Sequence, residues 1–472
     1  MEEKVTFQAE KPVRGSADND TNTDIHDIEP RIDTGVNEKS LVRRMDLRIL
    51  PVLVVVYIMA FIDRVNIGNA KLFSLTKDLK ISDNQYNIAL CVFFVSYIVF
   101  EIPANILMKK VKPHIFMSAC MLNFGLLVMI QGLVKDFGGL VTIRFLMGIA
   151  EAGVFPGCFY LMSMWYKRLE AQRRFSFFVN AATFAGAFGG LLATGIGHME
   201  GVRGYHAWRW IFILEGLATC ILAFVVYFTV SDFPETARWL NESERAFVIT
   251  RLEEDQGSSD VEEKITLRGV LETLMDKKVL LAGFMYFGPT MSGYSLAYFI
   301  PTIVSSYGYS PIQSQVHSIP PWAAAFGYSM LLAFLSDRTR KRAPYVFCSF
   351  AMALAGVTTL FCLDHNKYAQ YAALCLYTMG IFGAVPIIIC WFVMSLEGHR
   401  NRAVGTAWQI AFGNAAGMIS TFAFPVKDRP RYPLGYSLGI GLLCMSIVAS
   451  ALYYWVCARE NRRRPDGRKL IL

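Results

Sequence analysis

The chain has 472 residues, of which 54% are hydrophobic and 18% are charged, and its net charge is +8. Soluble domains are roughly 45 to 50% apolar and about 25% charged, so this composition argues against a water-soluble enzyme of this size. The apolar residues occur in blocks of about twenty, the length at which a helix crosses a hydrocarbon layer ~30 Å thick. The sequence therefore predicts an all-α, multi-pass membrane protein. A membrane β-barrel is excluded, because its strands would alternate polar and apolar residues over segments of ~10 residues.

The basic residues, cysteines and histidines favour no nucleic-acid, metal or redox chemistry. The basic residues form short clusters between apolar blocks, a distribution that membrane topology explains better than nucleic-acid binding does. The ten cysteines lie in or beside apolar blocks without paired spacing, which predicts small core residues rather than disulfides. The seven histidines are scattered singly, so we expect neither a metal site nor a cofactor.

Twelve membrane spans can be placed along the chain. They cover residues 47–67, 86–108, 115–134, 139–161, 174–197, 208–230, 279–303, 316–335, 344–363, 370–395, 404–424 and 435–457. A polar stretch between the sixth and seventh spans divides the chain into two parallel halves, a plan of transporters that carry their site between the halves. The predicted domains are a disordered cytoplasmic N-terminal tail (1–45), an N-terminal six-helix bundle (46–230), a cytoplasmic central loop (231–278), a C-terminal six-helix bundle (279–458) and a basic cytoplasmic tail (459–472).

Lysine and arginine are unevenly divided between the loops. With the N-terminus inside, the four short inner loops carry 13 basic residues, while the six outer loops carry about 10. An excess of positive charge marks cytoplasmic loops, so both termini are predicted to be cytoplasmic. We expect a monomer in the plasma membrane, with the lipid bilayer as a partner and no nucleic acid.

Ionisable residues inside a membrane span cost ~2.5 to 3.5 kcal/mol or more, so each one needs a partner or a function. The first half contains Asp63 and Arg64 in span 1, Glu101 in span 2, Arg144 and Glu151 in span 4, and Arg209 and Glu215 in span 6. The second half offers neutral polar and aromatic groups, including Tyr294, Tyr298, Trp391 and Asn414. We infer that charge binding and ion coupling lie in the first half and much of the shape selectivity in the second. Glu101 and Glu215 are interpreted as structural.

Arg144 and Glu151 lie two helical turns apart on one face, about 10 Å along the axis, so they cannot pair with each other. Either another helix supplies a structural partner, such as Asp63 or Glu101 for Arg144, or the arginine holds an anion while the glutamate carries a proton. The second hypothesis is preferred, because a guanidinium matches a carboxylate at two points. The adjacent Asp63 and Arg64 point about 100° apart, so only one can face a cavity squarely. Solvated charges at a helix end are the alternative for these two residues.

The loops between spans resemble those of the major facilitator superfamily. The loop AFLSDRTRKR after span 8 is similar to the GxxxDRxxR loop signature, with Asp337 and Arg338 in place and Ala333 where glycine is usual. The matching loop after span 2, NILMKKVKPH, has Lys109 where the superfamily has aspartate, a departure that resembles one branch. The resemblance implies that Asp337 and Arg338 belong to a gating loop.

That branch is the fungal anion:cation symporter group, typified by allantoate, nicotinate and related carboxylate permeases. The chain is similar to it in FIDRVNIGNA, RFLMGIAEAGVFPG, WRWIFILEG, FPETARWLNESER and GHRNRAVGTAWQIAFGNAAG, and the resemblance covers nearly all of the chain after residue 45. It implies twelve transmembrane helices in two six-helix bundles. It also implies proton-coupled uptake, by alternating access, of a small organic anion similar to nicotinate, allantoate or pantothenate.

The wider organic-anion branch has motifs that match this chain residue by residue. The resemblance implies that Asp63 and Glu151 carry protons and that Arg64 and Arg144 contact the anion, with Asn66 alongside. Tyr97, six residues before Pro103, matches a tyrosine that contacts substrate in that branch. From the second half, Tyr294, Tyr298, Trp391 and Asn414 complete the predicted substrate-binding set.

Two other functions stay open at the level of sequence. An exporter of a larger, less charged secondary metabolite would keep the fold and motifs, and a nutrient sensor would bind a ligand without moving it. A proton/drug antiporter is disfavoured, because Ala187 rather than proline follows Gly186 in span 5. No HExxH or GxSxG motif and no nucleophile–base pair is visible, so we predict that the protein is not an enzyme.

Overall fold

The computed structural model describes residues 37–256, 267–339, 341–363, 366–396, 399–429, 431–463 and Leu470. The α-helices are α1 (Glu38–Leu72), α2 (Leu75–Asp78), α3 (Asp83–Lys110), α4 (Pro113–Gln131), α5 (Phe137–Glu151), α6 (Val154–Ser163), α7 (Arg168–Gly197), α8 (Ala207–Thr229), α9 (Glu242–Gln256), α10 (Leu267–Leu274), α11 (Lys277–Ser305), α12 (Pro311–Thr339), α13 (Ala343–Cys362), α14 (Lys367–Met394), α15 (His399–Ser420) and α16 (Pro433–Arg463). Short 3-10 helices lie at Val202–Gly204, Pro234–Thr236 and Val426–Asp428.

Ten segments of the described chain are long and apolar enough to cross a membrane, with α5 and α6 counted as one. The seventh and eleventh predicted spans correspond to α11, which has 29 residues, and α15, which has 22. Neither helix is among those ten segments. Tyrosines, prolines and hydroxyl residues lower the hydropathy of α11, and arginines and amide residues lower that of α15. Polar groups of this kind belong in helices that face the interior of a bundle. The chain is thus a multi-pass membrane protein, and the predicted all-helical fold is confirmed.

The spans pack as two groups of six. In the first group α4 packs on α8, α3 on α5 and α1 on α7. In the second group α13 packs on α14, and α11 packs on both α15 and α16. Between the groups, α7 contacts α12 and α14, α1 contacts α11, and α3 contacts α15. A site on α1, α3, α5 and α11 therefore lies where the two groups meet.

The ends of several helices differ from the predicted domain limits. The first helix begins at Glu38, so residues 38–45 of the predicted tail are helical, while residues 1–36 lie outside the described part. The predicted central loop contains α9 and α10, and its residues 257–266 also lie outside the described part. The last helix continues to Arg463, beyond the predicted limit at residue 458. Hydropathy marks only the apolar portion of a helix, whereas backbone hydrogen bonds continue the helix through polar residues.

The fourth span breaks immediately after Glu151. Pro156 explains the break, because proline has no N–H and its ring conflicts with the carbonyl group four residues earlier, here that of Ala152. Gly153 lies in the gap between α5 and α6, where a Cβ atom would be 2.5 Å from the ring of Phe116. The break leaves Glu151 as the last residue of α5, buried inside the bundle.

Candidate functional site

Arg64 of α1 is paired with Glu151 of α5 in the protein interior. The Arg64 Nε donates to Glu151 Oε1 at 3.0 Å, and Nη2 bonds the same oxygen. The side chains of Arg64 and Glu151 are 7% and 2% exposed. The remaining terminal nitrogen, Nη1, donates to the hydroxyl of Tyr294 on α11 at 2.9 Å. The guanidinium thereby connects the two groups of spans.

Aromatic rings surround the same guanidinium. The Arg64 Cζ lies 5.3 Å from the ring centroid of Phe93, 5.2 Å from that of Tyr97 and 5.9 Å from that of Tyr294. The negative face of an aromatic ring attracts a cation, and this attraction strengthens away from water. The structure therefore brings the predicted Tyr97 and Tyr294 to Arg64.

Arg144 of α5 is fully buried and only partly bonded. Its Nη1 donates to the main-chain oxygen of Arg64 at 3.2 Å, whereas Nε and Nη2 have no hydrogen-bond partner among the described residues. The Tyr298 hydroxyl, also without a partner in the described chain, is close enough to interact electrostatically with Arg144. Tyr298 stacks near Tyr294, with ring centroids 6.4 Å apart. The two guanidinium nitrogens of Arg144 without a described partner therefore lie near the hydroxyl of Tyr298.

Asp63 turns away from Arg64, as expected for adjacent residues on a helix. Its Oδ2 accepts a hydrogen bond from the hydroxyl of Thr219 on α8 at 2.8 Å, and its Oδ1 has no partner among the described residues. Asp63 is fully buried. The two carboxyl groups of the predicted proton-coupling set thus occupy different sides of the site.

Asn66 and Trp391 make their described contacts away from Arg64, whereas Asn414 bonds Glu101, which is close enough to Arg64 for their charges to interact. Asn66 accepts a bond from Asn69 at 2.8 Å, and the Asn414 amide donates to Glu101 Oε2 at 3.2 Å. The ring of Trp391 packs edge-on against Tyr453, with centroids 5.0 Å apart. The positions of Asn66 and Trp391 therefore give no support to their predicted roles, while Asn414 lies near the site through Glu101.

The predicted gating loop contacts both groups of spans. Asp337 at the end of α12 accepts a hydrogen bond from Arg342 at 2.7 Å, and its Oδ2 lies 3.7 Å from Nε of Arg173 on α7. The neighbouring Arg338 is exposed. Asp337 is thus the residue of the loop signature that touches the opposite half.

A cavity with a largely aromatic lining lies between the two halves beside Tyr294. Its aromatic lining consists of Tyr57, Phe61, Phe155, Tyr286, Tyr294 and Phe382. Asn180 and Thr290 supply polar side chains at the cavity wall. Tyr294 both lines the cavity and bonds Arg64, so this one side chain connects the cavity wall with the buried ion pair.

Sequence reasoning alone missed several residues of the site. Tyr57 lies seven residues before Arg64, or about two turns, and Phe93 lies one turn before Tyr97. Thr219 likewise follows Glu215 by one turn. Helical spacing from a residue already singled out could have identified each of them. Asn180 carried no such signal, because it reaches the cavity only through the packing of α7 against the second half.

Comparisons with known proteins identify the family. The profile of the Major Facilitator Superfamily matches residues 53–421. The chain is 32% identical over 441 residues to the MFS transporter prlL of a fungal species, covering 91% of this chain and 89% of that protein. It is 31% identical over 445 residues to the MFS-type transporter cnsO of Penicillium expansum, covering 92% and 86%.

Solved structures share the fold at low sequence identity. A bacterial homologue of the human lysosomal transporter Spinster, inward-facing and unoccupied, aligns with a TM-score of 0.68 at 14% identity, over 92% of this chain and 100% of that one. The proton:xylose symporter XylE, bound to 6-bromo-6-deoxy-D-glucose, aligns with a TM-score of 0.67 at 15% identity, over 89% and 96%. The chain belongs to the major facilitator superfamily and is a secondary transporter, not an enzyme.

Proposed function

We propose that this transporter is a proton-coupled symporter that takes up a small organic carboxylate by alternating access. The observation that carries the proposal is Arg144, fully buried with two guanidinium nitrogens that have no partner in the described chain. A charged group with unsatisfied hydrogen-bond donors in the interior of a membrane protein is costly. A carboxylate ligand bonded to both nitrogens would offset that cost, since the two groups match in two-point geometry.

Charge balance links the anion to a proton. Arg64 and Arg144 supply two positive charges at the site, and Asp63 and Glu151 supply two negative ones. A bound carboxylate adds a third negative charge, and a proton on one of the two carboxyl groups restores neutrality. Asp63 and Glu151 are therefore proposed as the proton-coupling groups. Binding of the anion and binding of the proton then favour each other.

The cavity beside Tyr294 supports a carboxylate with a flat or largely apolar body. The rings of Tyr57, Tyr286 and Tyr294 offer apolar faces for stacking, and their hydroxyl groups offer single polar contacts. Among anions similar to nicotinate, allantoate and pantothenate, a nicotinate-like ring fits this lining best. Arg144 and Tyr298 are proposed to hold the carboxylate; neither lines the cavity, but the ring of Tyr298 stacks near that of Tyr294, with centroids 6.4 Å apart.

Close contacts between the halves lie on both sides of the site and support alternating access. One turn beyond Arg64, a Cβ atom at Gly68 would be 2.5 Å from the main-chain oxygen of Tyr298. Near the start of α7, the Ser176 hydroxyl lies 3.3 Å from the sulfur of Cys390 on α14. Rocking of one half against the other would separate one contact while keeping the other.

The family branch, the oligomeric state, the membrane and the orientation of the chain belong to the same proposal. We place the protein in the fungal anion:cation symporter group, as a monomer in the plasma membrane with both termini in the cytoplasm. The excess of basic residues in the inner loops and the fungal sources of the relatives support this placement.

The test is uptake of radiolabelled nicotinate, allantoate and pantothenate by permease-deficient yeast that express the chain, with and without a protonophore. Saturable uptake of one acid that the protonophore abolishes supports the proposal. The Arg144→Gln variant, matched for surface abundance, should lose this uptake. Binding without uptake would indicate a sensor, and outward movement would indicate an exporter; either result overturns the proposal.

A further inference from the structure

Glu215 of α8 is a buried carboxyl group that the proposed mechanism does not use. It is 3% exposed, and neither of its carboxyl oxygens has a hydrogen-bond partner among the described residues. A purely structural glutamate would be expected to bond the groups that it holds in place. The position of Glu215 therefore needs another explanation.

Thr219 places Glu215 beside Asp63. Glu215 and Thr219 are one turn apart on the buried face of α8, with Cβ atoms about 5 to 6 Å apart. The Thr219 hydroxyl donates to Asp63 Oδ2 at 2.8 Å, and Asp63 is close enough to Glu215 for their charges to interact. Glu215 thus lies one turn along α8 from the residue whose hydroxyl bonds Asp63.

Among the described residues, the surrounding helices bring one cation close to Asp63. Arg144 of α5 interacts electrostatically with Asp63. The helix α4 packs on α8 along its length and has no lysine, arginine or acidic residue, only His114 in its first turn. On α8 itself, Arg209 bonds Asp78 at 2.9 Å, six residues before Glu215. Arg144 is therefore the counter-charge of Asp63, while Glu151 of α5 adds a second negative charge close enough to interact with Asp63.

We propose that Asp63 and Glu215 share one proton and act together as a single proton-binding pair. Two ionised carboxylates side by side in a buried site repel each other, and one shared proton removes this repulsion. The oxygens of Glu215 and Oδ1 of Asp63, which are otherwise without partners, are the atoms available to hold the proton. When a substrate carboxylate occupies Arg144, the pair loses its counter-charge and binds a second proton. This last step alone rests on the proposed function.

The shared proton can be tested without any substrate. The purified full chain is titrated with pH while the infrared C=O stretch of protonated carboxyl groups is recorded. We expect a carboxylic-acid band at neutral pH that Glu215→Gln removes. Asp63→Asn removes the neighbouring negative charge, so the pH at which the band disappears should fall by about one unit or more. Thr219→Val removes a donor that favours ionised Asp63, so this pH should rise.

The opposite shifts of Asp63→Asn and Thr219→Val distinguish a proton-sharing pair from an isolated neutral glutamate. Glu101→Gln is the matched control, since Glu101 is a buried glutamate that bonds Asn414 instead, and it should leave the band of Glu215 unmoved. If neither Asp63→Asn nor Thr219→Val moves the titration, the pair does not exist. These two variants decide the question even if Glu215→Gln fails to fold. If the infrared titration gives the expected shifts but the chain transports no acid, the proposed function is rejected and the proton-sharing pair is retained.

Discussion

Arg64 and Glu151 form an ion pair that depends on both halves of the transporter. Arg64 Nε lies 3.0 Å from Glu151 Oε1 within the first six spans, and Arg64 Nη1 lies 2.9 Å from the Tyr294 hydroxyl in the second six. Movement of one half against the other must change the contact with Tyr294. We therefore expect the charge state of the pair to depend on the conformation of the protein.

Glu151→Gln should abolish proton-driven accumulation while preserving exchange of substrate across the membrane. The amide keeps the size of the glutamate but cannot carry a proton, so the loaded protein can still reorient without a net proton cycle. The measurement compares protonophore-sensitive uptake with counterflow of labelled substrate in vesicles. Equal loss of both activities, at normal abundance, would show that Glu151 is structural.

Arg64→Gln should destabilise the protein by ~3 to 5 kcal/mol, because it leaves Glu151 buried without its cation. The double variant Arg64→Gln with Glu151→Gln removes both charges and should recover most of that loss. Thermal unfolding of the purified chain in detergent measures both effects. Additive losses in the double variant would contradict the ion pair.

Arg144→Gln should weaken substrate binding by about tenfold to a hundredfold, since bonds to a charged group contribute about 1.5 to 3 kcal/mol. Arg144→Lys is the matched variant: it keeps the positive charge but loses the two-point geometry, so it should restore affinity only in part. The measurement is the stabilisation against heating that the transported acid produces. Full recovery with lysine would show that charge alone matters at this position.

The sequence predicted the fold well because the apolar blocks mark membrane spans directly. It also predicted that Arg144 and Glu151 would not pair and that Asp63 and Arg64 would point in different directions, since helical spacing determines both. It did not predict that Arg64 would be the partner of Glu151. That contact joins residues of different helices, and spacing along one helix carries no information about packing between helices.

The second half of the site was harder to predict for the same reason. Tyr294 and Trp391 are both aromatic residues of apolar spans, and their sequence context does not distinguish them. Only the packing of α11 against α1 brings Tyr294 to Arg64, while α14 turns Trp391 toward Tyr453. Polar residues such as Asn414 are equally ambiguous until their partners are seen.

Tyr294→Phe and Trp391→Phe should separate a site residue from a packing residue. The first change removes the hydroxyl that accepts from Arg64, which should weaken coupling or binding by about 1.5 to 3 kcal/mol, or tenfold or more. The second keeps an aromatic ring in a fully buried position and should leave the apparent affinity unchanged, at some cost in stability. Concentration-dependent uptake gives both values. An affinity loss confined to Trp391→Phe would instead place the substrate beside Trp391 rather than beside Tyr294.

Gly68→Ala should slow transport with little change in substrate affinity. A Cβ atom at Gly68 would lie 2.5 Å from the main-chain oxygen of Tyr298, and a backbone atom cannot move aside as a flexible side chain can. The halves would then be unable to close fully at this contact, one turn from Arg64. Gly195→Ala is the matched control, because a Cβ atom there meets nothing within 4 Å.

The two glycine variants are compared by the rate of counterflow and by the concentration that gives half-maximal exchange. We expect Gly68→Ala to lower the rate about tenfold or more, since an overlap of this kind costs typically 1 to 3 kcal/mol. Gly195→Ala should match the wild type in both values. Equal rates for the two variants would mean that the approach of Gly68 to Tyr298 is not part of the closing movement.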